Sequence, residues 1–165
     1  MSNRESQPKA LPMPGLKPCL WFQSEAEAAA RFYVTLFPNS KIGDVMRAGP
    51  GPDAPAIAVD FVLGGSPFLA INGRQSAGFT DATSLVVPCE TQEEVDRYWK
   101  ALTTGGEEGQ CGWLKDRYGV SWQVVPNALS RLLGDPDPAR AGRVMQAMLG
   151  MKKLDISALE KAREG

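Results

Sequence analysis

Ser24-Glu-Ala-Glu-Ala-Ala-Ala-Arg-Phe32 and Thr91-Gln-Glu-Glu-Val-Asp-Arg-Tyr-Trp99 are two statements of one pattern. Each opens on a hydroxyl residue three positions ahead of a glutamate. This is the capping-box spacing, in which the hydroxyl accepts from the third amide and the glutamate reaches back. Laying Ser24 on Thr91 sets Glu27 on Glu94, Ala28 on Val95 and Phe32 on Trp99 without a gap. Ala28, Ala29, Phe32 and Leu36 share one helical face, and Val95, Tyr98, Trp99 and Leu102 recur at i, i+3, i+4 and i+7. Pro38-Asn39 stops the first helix and Gly105-Gly106 the second. The overlay predicts Phe32 and Trp99 as equivalent core anchors.

The flanks repeat as well. Lys17-Pro-Cys-Leu-Trp-Phe22 precedes the first helix, and Ser84-Leu-Val-Val-Pro-Cys89 the second. Strands are predicted over Lys41 to Ala48, Ala56 to Leu63 and Phe68 to Ile71 in the first unit. Ile57, Val59, Phe61 and Leu63 fall on one face of the middle one. In the second unit strands are predicted over Glu108 to Leu114 and Val120 to Val125, with a turn at Lys115 to Gly119. This is an internal duplication. The organisation read from it is an extended lead-in over 1–15, a body over 16–126 and a helical tail over 127–165. The body's units cover about 16–73 and 82–126. Asn72 to Asp81 joins them and is long enough for a lid or crossover. In the tail, Asn127, Asp137-Pro138 and Asp155 read as helix starts. Val144, Met145, Met148 and Leu149 form an apolar edge, predicted to pack on the body or a partner.

At 165 residues the chain is one domain in size, and 18 basic against 19 acidic side chains leave a net charge of −1. That balance argues against nucleic-acid binding. There is no histidine at all, which removes the commonest general base and metal ligand. Cys19, Cys89 and Cys111 are scattered without CxxC spacing, as reduced thiols of a cytoplasmic protein would be. No signal-like stretch is read in Met1 to Pro18, and no apolar run of ~18 residues that would span a membrane.

Leu20-Trp-Phe22, Arg31-Phe-Tyr33, Leu36-Phe-Pro38, Gly105-Gly106 and Tyr118-Gly-Val-Ser-Trp122 carry a family resemblance. Together with the duplication, they resemble the PhnB-like branch of the vicinal oxygen chelate superfamily. That superfamily includes glyoxalase I, extradiol dioxygenases and bleomycin-resistance proteins, and members of the branch often bear the name 3-demethylubiquinone-9 3-methyltransferase. The resemblance is read from about Leu16 to Leu159. It implies an α+β fold of two βαβββ modules curling around a cleft, with the helical tail added, usually in a homodimer. Metal-bearing members of the superfamily take two ligands from each module. The matching positions here are Pro18, Ser84 or Leu85, the uncharged strand Phe68 to Ile71, and Gln123, so neither a metal nor another cofactor is expected. The glycine pairs Gly64-Gly65 and Gly105-Gly106 open no helix, so they offer no seat for a methyl donor.

A pocket remains as the expected site. Strand alternation puts Ser121, Gln123 and Val125 on one face, and Leu20 and Phe22 with Pro18 on the cleft side, leaving Cys19 and Trp21 toward the helix. The candidate pocket residues are Phe22, Asn72, Ser84, Trp113, Lys115, Ser121 and Gln123. No catalytic residue is assigned: Cys111 has no visible base, and Lys115-Asp116 reads as a turn. The function that follows is metal-free binding or sequestration of a small molecule of unknown identity. Its alternatives are an enzyme of the same superfamily and a structural dimer with a vestigial cleft.

Overall fold

A computed structural model describes residues 15–74 and 78–165. The lead-in predicted over 1–15 therefore lies outside the described residues except for Gly15. Part of the connection between the units also lies outside them.

The first unit runs β1 (Cys19–Phe22), α1 (Ala26–Leu36), β2 (Lys41–Arg47), β3 (Ala56–Leu63) and β4 (Ser66–Asn72). The second runs β5 (Leu85–Cys89), α2 (Gln92–Thr103), β6 (Glu107–Glu108), β7 (Trp113–Lys115) and β8 (Ser121–Pro126). Each makes a four-stranded mixed sheet, ordered β1-β4-β3-β2 and β5-β8-β7-β6. The first strand lies parallel to the last of its unit, and the other pairs are antiparallel. This is the duplicated βαβββ architecture expected, with one strand more in the second unit than alternation suggested. The stretch expected as one strand over Glu108 to Leu114 turns back on itself at Gly109 to Gly112, and β6 pairs with β7.

The two helices begin differently. Thr91 caps α2 by accepting from the Glu94 amide at 3.3 Å, while Glu94 accepts from the Glu90 amide at 2.7 Å. No such box forms at Ser24, because α1 starts one residue later, after Glu25, which makes no side-chain cap. The Ala26 amide instead donates to Asn72 Oδ1 at 2.9 Å, and Asn72 Nδ2 donates to the Ala56 carbonyl at 2.9 Å. A residue from the end of β4 thus supplies the cap.

That one-residue delay shifts the repeat. The buried residues of α1 are Ala26, Ala29, Ala30 and Tyr33, and those of α2 are Val95, Tyr98, Trp99 and Leu102. Tyr33, not Phe32, is the counterpart of Trp99, and Phe32 is only half-buried against the core. Alternation in β1 is also inverted relative to expectation. Leu20 and Phe22 are buried on the helix-covered face, whereas Cys19 is exposed and Trp21 is 45% exposed. In β3, Val59, Phe61 and Leu63 are buried as expected, and Ile57 lies exposed at the strand's end.

The helix-covered faces of both sheets meet in one continuous apolar cluster. Tyr33 lies edge-on to Trp122 with ring centroids 5.2 Å apart, and Phe37 stacks on both Tyr98 and Trp122 at 5.0 and 5.6 Å. Each large side chain removed from water there contributes roughly 1.5–3 kcal/mol. Backbone approach is close as well: a Cβ on Gly106, after α2, would stand 2.1 Å from the Lys115 carbonyl oxygen.

The tail forms α3 (Ala128–Leu133), α4 (Pro138–Leu149) and α5 (Ile156–Glu164). Asp137 and Asp155 cap as predicted, accepting from Ala139 and Ala158 at 2.9 and 2.8 Å. Asn127 does not cap α3, because its amide turns instead to Glu90. Leu129, Leu132, Val144, Leu154 and Leu159 make a second apolar cluster. The predicted α4 edge divides accordingly: Val144 is buried, while Met145 and Leu149 are exposed in the single chain.

Candidate functional site

Alternation and pairing place the site's side chains. Trp113 registers with Gln123, Lys115 with Ser121, and Val86 with Gln123, so these five share the open face of the second sheet. Trp122 and Val124 point to the core between them. Gln123 Nε2 donates to Ser84 Oγ at 2.8 Å. The buried Ser121 hydroxyl donates to Asp81 Oδ1 at 2.7 Å, and Lys115 Nζ lies 3.5 Å from the same oxygen. The Ser121 hydroxyl, with lesser help from Lys115, holds the Asp81 carboxyl below its ordinary value.

Five of the predicted pocket residues, Ser84, Trp113, Lys115, Ser121 and Gln123, are thereby brought together. Two are not. Phe22 is core, edge-on to Phe79 and Tyr118 at 5.1 and 6.3 Å, and Asn72 is spent on capping α1. Asp81 was not anticipated. Its only signal is its place at the end of the long connection between the units, beside the start of the next strand.

Two hollows flank the group. A cleft of about 680 Å³ is walled by Asp81, Glu107, Gln110, Cys111, Trp113 and Lys115. A smaller one of about 290 Å³ lies between Cys19 and Trp21 of β1 and Phe79, Thr83, Ser84 and Ser121. The predicted turn after Lys115 is also more than a turn. Asp116 is 3% exposed and gathers hydrogen bonds from Tyr33, Trp122 and two backbone amides.

A family profile described as 3-demethylubiquinone-9 3-methyltransferase matches residues 14–125. The Bacillus cereus PhnB protein, named for that methyltransferase, is 35% identical, with 68% of this chain and 99% of that one covered at a TM-score of 0.62. This chain belongs to that family, the PhnB-like branch of the vicinal oxygen chelate superfamily. A protein of Pseudomonas aeruginosa, 20% identical over 68% of this chain and 98% of its own, shares the fold at a TM-score of 0.58. No curated protein matches. The profile ends at 125, so the family match stops where the tail begins rather than extending to Leu159.

Membership in the PhnB-like family raises two groups that the residues can be tested against. For the superfamily's metal, strand pairing identifies the equivalent positions. Cys19 lies opposite Leu69 as Val86 lies opposite Gln123, so Lys17, not Pro18, is the counterpart of Ser84, and Leu69 that of Gln123. The Lys17 ammonium is paired with Asp60, whose register partner is Leu69. A lysine, a leucine, a serine and an amide are a poor donor set for a divalent transition metal, and the two neutral polar groups bond to each other. No group of three or more His, Cys, Asp or Glu that could hold a metal occurs among the described residues. The residues do not fit the metal.

The methyl donor of the family description fits no better. Gly64 and Gly65 close the β3–β4 hairpin and Gly105-Gly106 follows α2, so neither pair opens a helix. The starts of α1, α2, α4 and α5 have amides already taken by Asn72, Thr91, Asp137 and Asp155. Two of the thiols are not poised for nucleophilic work either: burial pushes Cys89 up to about 11, and burial also raises the exposed Cys19.

Proposed function

We propose that this PhnB-like chain binds or sequesters a small organic molecule on the open face of its second sheet, without a metal. The carrying observation is the convergence of a half-exposed Trp113, the Lys115 ammonium and the Ser84–Gln123 pair on one face beside a cleft of about 680 Å³. A flat ring with a polar edge has there an aromatic surface to lie on and donors and acceptors to meet. Binding of this kind needs no acid or base.

The reading includes a homodimer in the cytoplasm. Trp21, 45% exposed on the open face of the first sheet, is surface that a second copy would cover, and three separate free thiols suit a reducing compartment. An enzymatic reading draws support from one arrangement: Ser121, Asp81 and Lys115 form a hydrogen-bonded and ion-paired group beside the cleft.

Thermal-shift screening of a diverse small-molecule library, repeated on Trp113→Ala, separates the readings. A compound that raises the melting temperature only when Trp113 is present supports binding at this face. A complete absence of shifts counts against it. Turnover of any hit that survives chelation and is lost in Asp81→Asn would bring the enzymatic reading forward, and sedimentation equilibrium at micromolar concentration tests the dimer.

A further inference from the structure

The tail lies beyond the family match, yet it is wired into the wall of the cleft. Between β6 and β7 the chain reverses over Gly109-Gln-Cys-Gly112. Cys111 sits there with φ of +56°, a left-handed backbone that a side-chain-bearing residue adopts only under constraint. The constraint comes from the tail. The Cys111 amide donates to the Met151 carbonyl at 2.7 Å, the Gly112 amide to the Lys152 carbonyl at 2.7 Å, and Cys111 Sγ approaches the Met148 carbonyl at 3.5 Å. Gly112 has no room for more: an added Cβ would stand 2.7 Å from the Val124 carbonyl oxygen and 3.1 Å from Leu154 Cδ1.

The other side of the same reversal carries Trp113. Its amide donates to the Gln110 carbonyl at 3.0 Å, and its carbonyl accepts from Gly109 at 2.8 Å. Gln110 and Cys111 are themselves wall residues of the cleft. The tail segment is in turn clamped at a distance. Gln92, at the start of α2, donates to the Leu154 carbonyl at 3.1 Å and accepts from the Ile156 amide at 2.9 Å, while Lys152 and Lys153 pair with Glu108 and Asp96. Leu154 is fully buried.

We propose that the C-terminal tail is a specificity-determining part of the cleft: by docking 148–154 against Cys111 and Gly112, it sets the β6–β7 hairpin and the plane of Trp113. Leu154 and Gln92 act as positioning residues, since neither lines the cleft. The inference rests on the reading that this cleft receives the ligand, but its test does not.

Full-length protein is labelled with 5-fluorotryptophan, the Trp113 resonance is assigned with Trp113→Phe, and alkylation of Cys111 by iodoacetamide is followed by peptide mass spectrometry. Gln92→Ala and Leu154→Ala are expected to speed Cys111 alkylation by about tenfold or more, as local opening would. They should also move the Trp113 resonance while that of Trp122 stays in place, and Leu154→Met should restore both. The aromatic anion 8-anilinonaphthalene-1-sulfonate serves as the cleft probe, and its affinity should fall in the two variants.

Faster alkylation with an unmoved Trp113 resonance would overturn the proposal, because the tail would then hold the loop without shaping the site. Unchanged alkylation in variants whose tail has become open to trypsin would also overturn it. If the unsubstituted protein fails to bind the probe, the binding reading suffers while the Trp113 resonance still decides the role of the tail. Gln92→Ala decides the matter if Leu154→Ala does not fold.

Discussion

The Tyr33 phenol donates to Asp116 Oδ2 at 2.6 Å, joining the helix of the first unit to the β7–β8 turn of the second. The same oxygen accepts from Trp122 Nε1 at 2.8 Å, and Oδ1 accepts from the amides of Tyr118 and Val120 at 2.8 and 3.1 Å. All of these donors are neutral. The carboxylate is held by these hydrogen bonds, three of them from its own unit and one, the Tyr33 hydroxyl, from the other.

Tyr33→Phe keeps the ring and removes only the hydroxyl. It should lower unfolding free energy by about 1.5–3 kcal/mol, the range for a buried bond to a charged acceptor. Urea denaturation reads this directly, and a midpoint equal to that of the unsubstituted protein would show that the bond does not couple the units.

The same pair sets an alkaline limit. Burial, and then the neighbouring Asp116 carboxylate, push the Tyr33 phenol far above its ordinary value of 10.0. The folded chain therefore holds this proton more tightly than the unfolded one. The associated stability is whole below about pH 10 and declines as the pH climbs further. Urea midpoints measured from about pH 8 to about pH 11 should fall at the upper end, and less steeply in Tyr33→Phe.

The corrected repeat makes a comparative prediction. Tyr33→Ala and Trp99→Ala should each cost ~3–5 kcal/mol, as buried aromatics do, while Phe32→Ala should cost clearly less. Equal losses at Phe32 and Tyr33 would restore the register in which Phe32 matches Trp99.

Asp81 predicts an acid response localised to the site. Its depressed folded value means that the Ser121 and Lys115 interactions are intact above the ordinary carboxylate value of 3.8 and are lost as the pH falls through the lower folded value. Amide exchange of Thr80 to Thr83, taken relative to the intrinsic rate at each pH, should rise over that acid range before the β-sheets open. Ser121→Ala should move the rise to higher pH, since the hydroxyl is the main cause of the depression.

Nickel, zinc, manganese or ferrous iron added to metal-free protein should leave the melting temperature unmoved, because an ion bound only to the folded state would raise it. Gln123→Glu alone should not change that outcome, as Lys17 and Leu69 still occupy the counterpart positions. A stoichiometric shift with any of these ions would contradict the reading of the donor set.

The architecture was legible because its signals are local. Thr91-Gln-Glu-Glu94, the spacing of Val95, Tyr98, Trp99 and Leu102, and the alternation from Val59 to Leu63 each act within one element. What escaped depends on distant partners. Ser24 looks like a cap, but Asn72, at the far end of the unit, reaches the Ala26 amide first and starts the helix one residue later. The four-residue run Cys19–Phe22 is too short for periodicity to say which side is covered, so its faces were exchanged. Gln123, Ser121, Trp113 and Lys115 were found together because two adjoining strands carry them, whereas Asp81 comes from a loop whose course no local rule dictates.

The shared interior has a consequence for either unit taken by itself. Tyr33 and Phe37 are carried by one copy of the repeat and packed against Trp122 and Tyr98 of the other. A gene encoding either copy by itself would yield a half with a bare aromatic face. Either unit made alone would therefore need a second apolar surface to cover that face. Carrying both units on one chain makes their meeting intramolecular, and it leaves the open faces free to differ, with Lys17 and Asp60 paired on one and Ser84 and Gln123 on the other.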